Sequence, residues 1–184
     1  MDLFSLNTGG QVVVLYFAYG SNMLAERLRE RCPSATFKTL ACADGWAFSF
    51  SKRSTDGSGK ATLSASDGEK TYGVVYEIDP RELAKLDRAE GRGNGYERDD
   101  NFIVHDQNHT KIKVFTYLAE PTSCDQNLIP YDWYWRLCLA GAERNNLPTL
   151  QIERIRQSGH IKDPKLDRES RTKALKILEE IGDV

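Results

Sequence analysis

The run Val12-Val13-Val14-Leu15-Tyr16-Phe17-Ala18-Tyr19-Gly20-Ser21-Asn22 decides the architecture of this chain. Residues 12–19 are β-branched or aromatic almost throughout and apolar on both faces, which predicts a central strand buried on two sides. Gly20 breaks the strand. Ser21 or Asn22 can then cap a helical stretch over 23–31, which Cys32-Pro33 stops. A buried strand that turns sharply into a helix exposes backbone N–H groups, a geometry that binds phosphate or carboxylate. Gly20 adds close access to the backbone. An ordinary strand-to-helix turn has the same pattern, and pattern alone leaves the two readings even.

Outward from this run, strands are expected at 36–43 and 45–52, then at 60–65 and 70–78 around a turn at Ser66-Asp67-Gly68-Glu69. The loop 52–59 is small and polar, hence mobile by composition. The best-signposted helix follows: Asp79 caps it, Pro80 takes the first helical position, and Glu82 completes a capping box. Ile78 and Leu83 form its hydrophobic staple, and Gly91 ends it. Strands at 96–105 and 111–119 flank the turn Asp106-Gln107-Asn108-His109, and the rest is helical at 130–144, from Pro148, and at 166–181. Antiparallel-looking strands with helices towards one end of the chain predict an α+β fold. No repeat or long linker divides the chain, so 1–184 is expected to be a single domain with a core over 12–150 and a helical extension over 150–184.

Composition narrows the function. Lys plus Arg number 25 against 27 Asp plus Glu, a net charge of -2, without the basic excess that displaces counterions from nucleic acid. A hydrophobic fraction of 40% supports a real core. The longest apolar run, 12–18, falls short of the roughly 20 residues that span a bilayer. No cation precedes Arg27, which argues against a secretory signal. A cytoplasmic protein with no nucleic-acid or membrane partner is expected. Cys32, Cys42, Cys124 and Cys138 are scattered without a C-x-x-C pair, so they read as reduced thiols rather than as metal ligands.

Glu90 stands out on helical phase. Leu83 and Leu86 mark the buried stripe of its helix, and Glu90 lies four residues after Leu86, in the last turn. Burial, the negative helix end and the nearby Asp87 all disfavour its charged form, as a proton shuttle requires. On phase alone, a glutamate that swings out to solvent is the better reading. Other motifs carry less. Gly57-Ser58-Gly59-Lys60-Ala61 imitates the end of a P-loop, but Ala61 stands where Ser or Thr must hold magnesium. Gly91, Gly93 and Gly95 have the wrong spacing for a dinucleotide site and read as a flexible connection or a lid over Glu90. Tyr131 to Trp135 reads as core aromatics sooner than as a stacking platform.

These residues together resemble the gamma-glutamylcyclotransferases, also grouped as AIG2-like. The run 15–23 resembles the family's opening motif, and Gly73-Val74-Val75-Tyr76 its central strand. Leu86-Asp87-Arg88-Ala89-Glu90-Gly91 resembles the helix end with the catalytic glutamate, and Thr116-Tyr117-Leu118 the strand with a substrate-facing tyrosine. Tyr134, 137–142 and Asn146-Leu147-Pro148 resemble the late helix. The resemblance implies a small mixed β-barrel with flanking helices, a homodimer, and cyclisation of a γ-glutamyl group to 5-oxoproline in glutathione metabolism. It implies Glu90 as the catalytic acid and base, with Tyr16, Tyr19, Gly20, Ser21, Asn22, Tyr117 and Tyr134 around the substrate, and neither metal nor cofactor. Backbone N–H groups of Tyr19, Gly20 and Ser21 would clamp the substrate α-carboxylate. Asn22, where the glutathione-specific branch carries Leu, resembles the branch acting on γ-glutamyl-amino acids. Two alternatives stand beside it: an enzyme for another γ-glutamyl conjugate, such as an amine or a biosynthetic intermediate, and a non-catalytic binding module. A binder could dispense with Glu90, which this chain keeps.

Overall fold

Two strands open the chain, β1 (Phe4–Leu6) and β2 (Val12–Ala18), in the computed structural model, which describes residues 4–6 and 9–183. They are followed by β3 (Thr36–Arg53), β4 (Gly59–Ile78), β5 (Tyr96–Asp106) and β6 (Lys111–Ala119). The sheet order is β1-β2-β4-β3-β5-β6, and β2 meets β6 in parallel at Tyr16 and Phe115. That last pairing closes β2 to β6 into a mixed barrel, with β1 outside it. The apolar faces predicted for β2 are met by partners on both edges: β4 runs antiparallel from Val14 opposite Ile78 to Ala18 opposite Val74. Phe17, Ala18, Val74, Val75, Val114 and Phe115 are fully buried inside. The α+β class and the small barrel with flanking helices are as expected.

The predicted breaks fall within two long strands. Residues 36–43 and 45–52 belong to one strand, and residues 60–65 and 70–78 to another, in which residues 66–69 have no partner in β3. The register jumps from Asp44 opposite Lys70 to Trp46 opposite Ala65. Gly45 and Gly68, both left-handed at φ 78° and 80°, lie in this irregular stretch. A left-handed glycine serves a bulge as readily as a turn. The polar loop after β3 is tied by its own hydrogen bonds: Asp56 Oδ1 accepts from the Ser58 N–H at 2.9 Å and the Ser58 hydroxyl at 2.7 Å.

Among the described residues, five helices flank the barrel. Residues Ser21–Met23 make a 3-10 turn, and α1 (Ala25–Arg29) starts beyond it with Leu24 at its N-cap. Neither Ser21 nor Asn22 caps a helix, contrary to expectation; the Asn22 amide is engaged elsewhere. α2 (Leu83–Glu90) follows a 3-10 turn at Pro80–Glu82, with Asp79 accepting from the Arg81 N–H at 2.9 Å. The expected capping box does not close within the segment. Ser34 intervenes: its hydroxyl accepts from the Asp79 N–H at 2.9 Å and itself donates to Glu82. Gly91, left-handed at φ 72°, ends α2 as predicted. α3 (Asp132–Arg144) buries its 137–142 segment, and α4 (Thr149–Gln157) and α5 (Glu169–Glu180) pack on it.

The connection between α4 and α5 is anchored by Asp163, which is buried. Its carboxylate accepts from Trp133 Nε1 at 2.9 Å and Arg168 Nε at 2.6 Å. Burial by itself would raise this carboxyl, but the bonds from Arg168, the Lys165 N–H and Trp133 outweigh it and lower it to about 2. All four cysteines are free. Among the described residues, no helix is long and apolar enough to cross a membrane.

α3 presses on the 3-10 turn at one glycine. A Cβ on Gly141 would lie 2.9 Å from both the Leu24 nitrogen and Met23 Cβ. The Met23 carbonyl beside it accepts from the Tyr76 hydroxyl at 2.7 Å and from Asn145 Nδ2 at 2.9 Å, so the turn has little room to retreat. Gly141→Ala is expected to cost about 1–3 kcal/mol by overpacking. Urea unfolding checks it, and an unchanged midpoint would show that the turn yields freely.

Candidate active site

Tyr16 from β2, the turn 19–22, Ala61 from β4, Glu90 at the end of α2, Tyr96 at the start of β5, Tyr117 from β6 and Tyr134 from α3 converge on one cavity of about 30 Å³. Every residue expected at the site therefore lines a single space. The cavity shares Ser21, Glu90, Tyr96 and Tyr134 with an outer cleft of about 370 Å³.

Glu90 does not swing out: its side chain is 18% exposed and ion-paired with Arg31. Oε1 accepts from Arg31 Nη1 and, at 2.9 Å, from Asn22 Nδ2. Oε2 has no hydrogen bond among the described residues and is the oxygen left for a ligand. Asn22 is fully engaged: Nδ2 also donates to the Tyr16 hydroxyl at 3.0 Å, and Oδ1 accepts from Arg31 Nη1 at 2.7 Å. Arg31, Asn22, Tyr16 and Glu90 form one network across β2, the turn and α2. The neighbouring Asp87 carboxylate is held by Arg98 Nη1 at 3.0 and 2.8 Å and pairs with Arg92 at 3.2 Å.

The tyrosines divide into two kinds. Tyr117 donates its hydroxyl proton to Asp87 Oδ1 at 2.7 Å, Tyr19 gives its own to the Tyr117 carbonyl, and Tyr96 donates to the Ala61 carbonyl at 2.5 Å. These hydroxyl protons are spent on the protein. The Tyr16 and Tyr134 oxygens instead accept, from Asn22 Nδ2 and from the Ala61 N–H at 3.2 Å, and among the described residues neither O–H is given to an oxygen or nitrogen acceptor. Burial above all pushes these phenols up, so they stay protonated and act as donors rather than bases. The Met23 N–H closes the 3-10 turn on the Gly20 carbonyl at 3.0 Å. The N–H groups of Gly20, Ser21 and Asn22 precede that ladder, and among the described residues none is given to a protein acceptor. A Cβ at Gly20 would sit 3.0 Å from Ala61 Cβ and 3.4 Å from the Tyr134 oxygen, against the cavity wall.

A carboxylate with one free oxygen, unbonded N–H groups and two neutral phenols in one cavity can bind an anionic group and move a proton beside it. The family model described as gamma-glutamyl cyclotransferase, AIG2-like, matches residues 16–136. This chain belongs to the gamma-glutamyl cyclotransferase, AIG2-like family. It is an enzyme of that class. The gamma-glutamylcyclotransferase of Homo sapiens is 30% identical over 154 residues, covering 77% of each chain. That of Bos taurus is 32% identical over 139 residues, covering 73% of this chain and 72% of its own. A solved gamma-glutamyl cyclotransferase structure superimposes with a TM-score of 0.79 at 28% identity, over 89% of this chain and 98% of the other.

Arg31 and Tyr96 escaped the sequence reading. Arg31 falls at the end of a stretch rich in charge (Glu26, Arg27, Arg29, Glu30), where one more arginine carries no signal. Tyr96 follows Gly95 directly, and an aromatic at the first position of a strand was the available clue.

Proposed function

We propose that the chain cyclises γ-glutamyl-amino acids to 5-oxoproline and the free amino acid, with Glu90 as the proton shuttle. The observation that carries this reading is the free Oε2 of Glu90, held in place through Oε1 by Asn22 and Arg31 within the tyrosine-lined cavity. The nucleophile is the substrate's own α-amine. It must lose a proton to attack the γ-carbonyl, and the leaving nitrogen must gain one. One carboxylate within reach of both nitrogens serves the two steps. Holding the glutamyl chain in its cyclising pose supplies much of the rate. The unbonded N–H groups of Gly20 and Ser21, with that of Asn22, suit the α-carboxylate, and the Tyr16 and Tyr134 hydroxyls suit the one remaining glutamyl oxygen, that of the γ-carbonyl. A homodimer and a cytoplasmic location belong to the same reading.

The test is mass-spectrometric detection of 5-oxoproline from a γ-glutamyl-amino-acid dipeptide with glutathione alongside. Product from the dipeptide and little from glutathione is the expected result. Equal turnover of glutathione would reassign the branch, and no product from either would favour a different γ-glutamyl conjugate or a binding module.

A further inference from the structure

The outer cleft is basic. Arg27, Arg31, Lys52, Lys60, Arg88 and Arg168 line it against only Asp56 and Glu90. Most of this charge is already answered: Arg27 pairs with Glu30 at 3.4 Å, Arg31 with Glu90, Lys60 with Asp56 at 3.1 Å, and Arg168 with Asp163 at 2.6 Å. Arg88 is exposed to solvent. Lys52 differs from all of them. It is 7% exposed, yet among the described residues its ammonium has no carboxylate within ion-pair distance and no hydrogen-bond acceptor, only the face of the Tyr96 ring 4.6 Å away.

Three features aim Lys52 at the cleft and hold it there. The β3–β4 register shifts between Ser49 and Lys52, and such irregularities re-aim side chains at the end of a strand. Lys52 then stands directly opposite Lys60, a like-charge pair that is unfavourable without an anion nearby. Asp56 answers Lys60 in direct contact, whereas Lys52 has only the longer-range attraction of Glu90 and Asp56. Gly95, left-handed at φ 94°, lies against the lysine stem: a Cβ there would meet Lys52 Cε at 3.1 Å and Ser123 Oγ at 2.8 Å. The last glycine of the 91–95 segment thus leaves room for this side chain.

The Lys52 stem is buried while its ammonium faces the cleft with no acid in contact, so an anionic ligand group there would gain a charge-assisted hydrogen bond. On the cyclisation reading the glutamyl end takes the tyrosine-lined cavity, Glu90 stands beside the bond to be broken, and the leaving group lies in the cleft beyond. We infer that Lys52 binds the α-carboxylate of the leaving amino acid and thereby selects γ-glutamyl-amino acids over γ-glutamyl-amines. This assignment rests on the γ-glutamyl reading above.

The test compares γ-glutamyl-alanine with γ-glutamyl-ethylamine, which differs from it by the leaving group's carboxylate alone. In the unmodified protein, kcat/KM for the alanine conjugate is expected to be higher by about tenfold or more, the scale of one charge-assisted hydrogen bond. In Lys52→Met that ratio should fall to near one; Lys52→Gln, with a polar head, serves if the methionine variant does not fold. A ratio near one in the unmodified protein, or a ratio kept in the variants, overturns the role of Lys52 and leaves the cyclisation reading standing. Absence of 5-oxoproline from both conjugates in the unmodified protein overturns the cyclisation reading itself, and this assignment with it.

Discussion

Glu90→Gln is expected to lower kcat for 5-oxoproline release by on the order of 10²–10⁴-fold, the range that general acid–base groups contribute. The amide keeps the shape of the carboxylate and can still accept the hydrogen bond from Asn22, so the cavity should persist. What it loses is the basic oxygen that, in the proposed mechanism, takes the ammonium proton before attack and returns one to the leaving amine. No other group at the site can take over: the tyrosines around it are held protonated, chiefly by burial, and Asp87 is tied to Arg98, Arg92 and Tyr117. Substrate binding should survive, because the turn proposed to hold the α-carboxylate and the Tyr16 and Tyr134 phenols are untouched. Near-normal turnover by Glu90→Gln, measured by mass spectrometry, would remove Glu90 from the mechanism.

Arg31→Met is expected to be the next most damaging change, lowering kcat by about 10–100-fold, the scale of losing a charge-assisted contact at a reacting group. Arg31 grips both Glu90 Oε1 and Asn22 Oδ1, so its removal frees two side chains at once. Both partners of the ion pair are only 18% exposed, and an unpaired carboxylate in such a place turns towards whatever water it can reach. If Arg31 acts through Glu90, the double variant Arg31→Met/Glu90→Gln should be no slower than Glu90→Gln alone. Multiplying losses in that double variant would mean that Arg31 contacts substrate independently.

Much of the fold is legible along the chain because it depends on local chemistry. The apolar run of β2, Pro80 after Asp79, and Gly91 after Glu90 each act within a few residues of themselves, and their elements fall where expected. Errors arise where one residue type serves two geometries. Gly45 and Gly68 carry the left-handed backbone that marks a turn, and here that backbone interrupts the register of two continuous strands. Glu82 has the right spacing for a capping box, but Ser34, distant in sequence, takes both the Asp79 N–H and the Glu82 carboxylate that would have met, and the Glu82 N–H bonds the Asp79 carbonyl. At the site, the residues of the turn 19–22 and Glu90 could be singled out by backbone geometry and helical phase. Arg31, Tyr96 and Lys52 could not, because what distinguishes each is its partner, or its lack of one, across the barrel. The division of the tyrosines into spent and free hydroxyls is likewise invisible until Asp87, Ala61 and Asn22 are in place.

The parallel contact between Tyr16 and Phe115 has a consequence for how this molecule comes into being. Those residues lie far apart in the chain, and Tyr16 is both the seam of the barrel and a wall of the cavity. The long β3–β4 hairpin joins neighbouring segments, whereas the seam must wait for a loop of most of the chain to close, an entropically late event. Catalytic competence should therefore arrive with the final closure rather than accumulate as secondary structure forms. A half-folded chain would carry nearly all of its strands and none of its activity, so activity recovered during refolding would time the closing of the barrel.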